Sequence, residues 1–217
     1  GVGGATDAGP PYRCAQSGPN GSVGVGNAGA ASIALELRNG DTVTCTFEHT
    51  AIGAVRTQQF WSTHPQLAEA AWFGRTAFGR AFPGVATRPG LGNRDLCGRT
   101  IDDPGKLLGA FWALIGTKTN GTRRDTLGVN RIQLLPELLA AELNAAAFAA
   151  VPAGGIAVFA QWEGTYCGSV STAIRSVAGA AAAFNGQGDS PASSPGMSTD
   201  AATARAVANI GFWDVLA

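Results

Sequence analysis

His49 and His64 are the chain's two histidines, and with Glu48, Glu137, Glu142 and Glu163 they are its candidates for moving protons or holding a metal. A metal site needs several such ligands to converge, and the spacing offers neither H-E-x-x-H nor a histidine pair one helical turn apart. A serine hydrolase would use one histidine as base. The G-x-S-x-G turn is missing, however: Gly168-Ser169-Val170-Ser171 lacks the second glycine, and no strand leads into Ser169. Two carboxylates flanking a glycosidic bond would make a glycosidase, but Glu137 and Glu142 lie beside or within an apolar helical pattern and are expected to face water. His64, expected in the first turn of a helix, is read as neutral or solvent-facing. The sequence therefore assigns no catalytic residue, no cofactor and no metal ligand, and a cryptic hydrolase is the last of three functional readings.

Cys14, Cys45, Cys97 and Cys167 are widely spaced and form no C-x-x-C pair, so neither a zinc ribbon nor a thioredoxin-like site is expected. Two disulfides are the simplest use of them, which places the chain in an oxidising compartment. The cysteines admit alternative pairings; keeping each clip inside one compositional region favours Cys14–Cys45 and Cys97–Cys167. Closing loops of that size stabilises by about 3–4 kcal/mol each on the chain-entropy model. Trp61, Trp72, Trp112, Trp162 and Trp213 are many beside two tyrosines. Exposed indoles stack on sugars or anchor interfaces, whereas Trp112 and Trp162, on apolar patterns, are read as packing.

Hydrophobic periodicity locates the elements that must position these residues. Residues 1–20 are rich in Gly, Pro and Ser and read as an arm, held only if Cys14 ties it down. In ASIALELRNGDTVTCTFEH, Ile33, Leu35 and Leu37 alternate with small or polar residues, as do Val43, Cys45 and Phe47, which predicts an amphipathic hairpin. A loop of Asn39-Gly40-Asp41, or a bulge, sets Leu35 opposite Cys45 and keeps the apolar side chains on one face. Thr63-His64-Pro65-Gln66 reads as a capping box opening a helix to about Gly79. Asp102-Asp103-Pro104 opens another, with Leu108, Phe111, Trp112 and Ile115 on one face and an end near Gly116. In DTLGVNRIQLLPELLAAELNAAAF, the strongest helical signal, Ile132, Leu135, Leu139, Leu143 and Ala146 align, and Pro136 is expected to kink or split the helix. Residues 156–162 read as a short strand, 169–184 as a small-residue helix and 198–212 as a closing helix.

Acids and bases balance at fifteen each and charged residues make up only 14%, so no nucleic-acid partner is expected. The longest apolar stretches are interrupted and fall short of the roughly 20 residues that span a bilayer, so no membrane span is expected either. The chain begins at Gly1 without an initiator Met or a leader-like segment, which reads as the mature form of a processed precursor.

Two stretches carry a family resemblance. GDTVTCTFEHT, Gly40 to Thr50, resembles the last strand of prealbumin-like β-sandwich repeats in bacterial surface proteins, in which an upstream cysteine commonly pairs with the one in this strand. RTQQFWSTHP, Arg56 to Pro65, is similar to the T-Q-G-[FY]-W-K-x-H-P run that opens an uncharacterised helical region in secreted bacterial proteins, with Gln59 in place of the usual Gly. The resemblance implies secretion and surface association and supplies no catalytic residues.

The expected architecture is α+β: a small N-terminal antiparallel β segment, residues 1–55, then a mainly α-helical domain, residues 56–217, with one short strand and, over the whole chain, two disulfides. An isolated hairpin is marginal in water and has open edges, so the helices or a neighbouring subunit's strand must cover it. The leading functional reading is a non-enzymatic, secreted structural or assembly protein, a homo-oligomer joined through strand or helix contacts in a surface layer or filament. The second is a surface binding module for a glycan or protein partner.

Overall fold

The β-branched alternation from Thr42 to Phe47 suits a pleated strand. In the computed structural model it is one: β1 (Tyr12–Ser17) and β2 (Thr42–Phe47) pair antiparallel, with Cys14 opposite Cys45. The structure describes residues 12–17, 42–47, 55–87, 91, 94–188 and 201–215. Residues 33–37, expected as the partner of β2, lie outside these, as does His49. The described partner comes instead from the stretch read as an arm, where the short alternation of YRCAQS is hidden between Pro- and Gly-rich flanks. The chain divides into two compact units, Gly1–Ala51 and Ile52–Ala217.

In the second unit, α1 (Gln58–Thr63) starts at Thr57, whose hydroxyl accepts from the Phe60 N–H at 3.4 Å. The expected capping box at Thr63 does not form. Pro65 disfavours helical geometry in the residue before it, so the chain breaks at His64, with φ −122° and ψ 59°. Thr63 therefore ends one helix, its hydroxyl donating to the carbonyls of Gln59 and Phe60. Pro65 opens α2 (Pro65–Phe73), which stops at Gly74, short of the expected Gly79. Gly74 sits at φ 74°, and a Cβ there would lie 2.9 Å from the Pro83 carbonyl oxygen.

Next comes an order of residues that occurs twice. Arg75-Thr76-Ala77-Phe78-Gly79-Arg80-Ala81-Phe82 and Arg94-Asp95-Leu96-Cys97-Gly98-Arg99-Thr100-Ile101 both read R-x-x-x-G-R with an apolar residue two places on. Each copy is a tight hairpin: β3 (Thr76–Ala77) with β4 (Arg80–Ala81), and β5 (Asp95–Leu96) with β6 (Arg99–Thr100). Both tips hold two residues at positive φ, Phe78 at 52° and Gly79 at 75°, Cys97 at 57° and Gly98 at 73°. This is the type I′ geometry, whose twist matches that of paired strands. In each copy the closing apolar residue returns its N–H to the leading arginine's carbonyl, Phe82 to Arg75 at 3.1 Å and Ile101 to Arg94 at 2.7 Å. Both leading arginines stand over the Phe73 ring. The trailing arginines reach for carbonyls elsewhere, Arg80 for Ala147 at 2.7 Å and Arg99 for Phe212.

The remaining elements are helical. α3 (Pro104–Trp112) is capped by Asp103, which accepts from the Lys106 N–H at 2.9 Å, and it ends before Gly116, leaving Ile115 exposed. α4 (Thr126–Phe148) is capped by Asp125 and runs through Pro136 without splitting, because residues 138–147 on its C-terminal side are all buried. α5 (Ala157–Cys167) replaces the strand expected at 156–162. A short apolar run fits either state, and here Phe159, Trp162 and Tyr166 bury one helical face. α6 (Ser171–Asn185) packs along α4. Instead of one closing helix, α7 (Ala201–Ala206) is followed by a 3₁₀ turn, Ile210–Asp214, that buries Trp213. One disulfide joins described side chains: Cys97, at the second hairpin's tip, to Cys167, at the end of α5, with Cα atoms 5.4 Å apart. Among the described residues no helix is long and apolar enough to cross a membrane.

Candidate ligand-binding site

Asn144, fully buried on α4, fixes the chain at residue 56. Its Oδ1 accepts from the Arg56 N–H at 2.8 Å and from Trp61 Nε1 at 3.1 Å. Its Nδ2 donates to the Arg56 carbonyl and to Asn185 Oδ1, each at 2.9 Å. The amide thus satisfies both backbone groups of one residue, as a neighbouring strand would. Asn185 donates in turn to the Glu137 carbonyl at 2.9 Å and to its carboxylate at 2.8 Å. Burial raises the Glu137 carboxyl, and the bond from Asn185 opposes that rise. Held by its backbone, Arg56 places its guanidinium 5.4 Å from the Phe60 ring and 5.8 Å from the Phe148 ring.

These groups wall a cavity of about 220 Å³, together with His64, Phe78 and Arg80. A cavity of roughly 150 Å³ takes benzene, so this one has room for a somewhat larger body. His64 is buried, which removes the solvent-facing alternative; its ring stacks on Phe60 with centroids 3.8 Å apart. Its Nδ1 lies 2.7 Å from the Phe60 carbonyl, an acceptor, so that nitrogen donates to it. The hairpin β3–β4 supplies Ala77, Phe78 and Arg80 to the lining. By donating to Ala147, Arg80 satisfies one of the last carbonyls of α4 and ties the hairpin to that helix end. Phe78, 49% exposed, occupies a left-handed position that costs a non-glycine residue about 1–2 kcal/mol. Among the described residues neither Arg56 nor Arg80 has a carboxylate partner, and no acidic side chain lines the cavity. The recess is aromatic and positively charged.

Glu142, expected to face water, is 3% exposed, because α4 has buried neighbours on every side and offers this position no wet face. It is hydrogen-bonded to Glu163 of α5, and burial, then the charge of Glu163, pushes its carboxyl well above the usual carboxylate range. The space beside the pair is about 10 Å³ and takes no sugar ring. Hydrogen-bonded carboxyls also stand closer than the roughly 5 Å a retaining glycosidase uses. Glu142 and Glu163 are therefore a hydrogen-bonded carboxyl pair, Glu142 buried and Glu163 half-buried. The hairpin β5–β6 covers it with Asp95 and Leu96, and the Cys97–Cys167 bond fastens that hairpin one turn along α5 from Glu163.

Trp61, Trp72, Trp162 and Trp213 are buried, and Trp112 is half-buried with the Arg205 guanidinium 5.9 Å from its ring. The exposed aromatic side chain at the cavity is thus Phe78, not an indole. Ser169 is exposed at the junction of α5 and α6. Among the described residues no group of three or more His, Cys, Asp and Glu side chains converges. The sequence signal that marks the cavity is the repeated R-x-x-x-G-R, in which Phe and Cys stand where a type I′ turn usually has Asn or Asp. No family model, curated protein or solved structure matches this chain.

Proposed function

We propose that the helical unit is a non-catalytic recognition module of a secreted or cell-surface protein, and that its ligand seats in the cavity walled by Arg56, Phe60, His64, Phe78, Arg80 and Phe148. Phe78 carries this reading. An exposed ring in a backbone conformation that its side chain disfavours contributes little to stability, and such strain clusters at binding sites. The oxidising location is supported by the Cys97–Cys167 bond, whose Cys167 end is exposed and open to reduction by cytosolic thiols. Cys14 and Cys45, in register on β1 and β2, form the second disulfide of this reading; peptide mapping without reductant checks it. The likeness of the TQQFWSTHP run to secreted bacterial surface proteins fits the same location.

The test is a ligand panel, small molecules and glycans together, read by thermal shift on the native protein. Hits that weaken in Phe78→Ala support the site. A panel that leaves the native protein unshifted removes it.

Self-association into a surface assembly is the second reading, favoured by the β1–β2 sheet, which has two strands among the described residues, a number that is marginal alone in water. Sedimentation showing a single copy at high concentration would count against it.

A further inference from the structure

Resting on the reading that this cavity binds a ligand, the structure assigns the ligand's chemistry: a small oxyanion, carboxylate or phosphate, carried on an apolar body a little larger than benzene.

The charge argument begins with Arg56 and Arg80. Both line the cavity, and among the described residues neither is neutralised by a carboxylate. Each is held in place by a backbone carbonyl, Arg56 through Nη1 to Val55 and Gly188, Arg80 through Nη2 to Ala147. Each also lies over aromatic rings, Arg56 over Phe60 and Phe148, and Arg80 over Phe82 at 5.0 Å. A guanidinium held in this way has less rotamer freedom left to lose, so an oxyanion meets partly preorganised donors. Charge-assisted hydrogen bonds of this kind are the strong ones. A cation would meet two like charges and, among the described lining residues, no carboxylate.

The size argument comes from the rest of the lining. Phe60, Leu67, Phe78 and Phe148 give the body apolar contacts, and about 220 Å³ takes a phenylalkyl group, not a long chain. Phe78, exposed at the cavity, covers a seated body at small entropic cost because an aromatic ring has few rotamers.

The experiment is calorimetric titration of the full oxidised chain with 3-phenylpropionate, phenyl phosphate, 3-phenylpropanol, 3-phenylpropylammonium and acetate. At least one of the two body-bearing anions should bind roughly tenfold or more tighter than the alcohol, and the tighter anion identifies the head group. The ammonium should bind more weakly than the alcohol, and acetate, which has no body, should bind weakly. Salt should narrow the gap between anion and alcohol. Arg80→Gln should narrow it too, whereas Phe78→Ala should weaken the anions and the alcohol alike and preserve their ratio. An alcohol that binds as tightly as both anions overturns the charge assignment and leaves the cavity standing as a binding site. If none of the body-bearing compounds binds, the assigned chemistry is overturned, while the cavity as a binding site stands or falls on the broader ligand panel. The wild-type series decides between these outcomes without any variant.

Discussion

Phe78 and Glu142 both hold positions that stability alone does not favour, and each makes a prediction. Asn is the residue that type I′ turns prefer where Phe78 stands. Phe78→Asn should therefore raise the denaturant midpoint, by about 1 kcal/mol of stability, while weakening ligand binding. A variant that is less stable than the parent would show that the ring contributes to packing. For Glu142 the sign follows from burial. Its folded-state pKa lies well above the ordinary carboxylate range, so the fold favours the protonated form. Its contribution is complete below the unfolded value and is lost as pH rises through the folded one. Wild-type stability should fall from mildly acidic toward alkaline pH, and Glu142→Gln should flatten that slope and gain stability most at the alkaline end. Melting curves across pH check both. Neither residue's setting was legible in the sequence. Amphipathic logic assigns Glu142 to water only if its helix has a wet face there, and a positive φ at Phe78 follows from hairpin closure, which propensity does not encode.

At the scale of elements, what was legible had local causes. Asp103 and Asp125 cap α3 and α4 by accepting backbone N–H groups, and the apolar stripe of Ile132, Leu135, Leu139, Leu143 and Ala146 on α4 is buried. The misreadings have causes of the same kind: α5 is an apolar run too short to distinguish strand from helix until its continuation to Cys167 is counted, and Pro65 moves a helix break by one residue. Asn144 is the element-scale joint, since it bonds α4 to residue 56, to Trp61 of α1 and to Asn185 of α6. Asn144→Ala leaves several buried polar groups without partners, each costing about 1–3 kcal/mol. The variant should lose about 3 kcal/mol or more in chemical denaturation, and it should lose ligand affinity as well because Arg56 is released. If stability drops and affinity does not, the joint is structural only. The second clamp is the Cys97–Cys167 bond, which closes a separation of 70 residues. Replacing both cysteines by Ser should cost about 2–5 kcal/mol and expose the Glu142–Glu163 pair to water, so the same variant should also weaken the pH dependence described for Glu142.

For the whole molecule, composition and patterning indicated an α+β chain with a β segment ahead of helices. They could not indicate the site, because its walls come from Arg56, from the hairpin at residues 76–81 and from the end of α4, which only the fold brings together. Among the described residues the core cluster runs from Val55 to Trp213, within the unit Ile52–Ala217, and the cavity-lining residues belong to the same unit. A unit with its own core and its own disulfide meets the conditions for folding alone. A chain of residues 52–217 should therefore unfold cooperatively, with a melting temperature close to that of the full chain, and bind the phenyl-bearing anions with unchanged affinity. Calorimetry and titration on the truncated chain check this directly. A broad, early transition would mean that the first unit completes the core of the second. Unchanged melting with lost binding would mean that residues 1–51 contribute to the site itself.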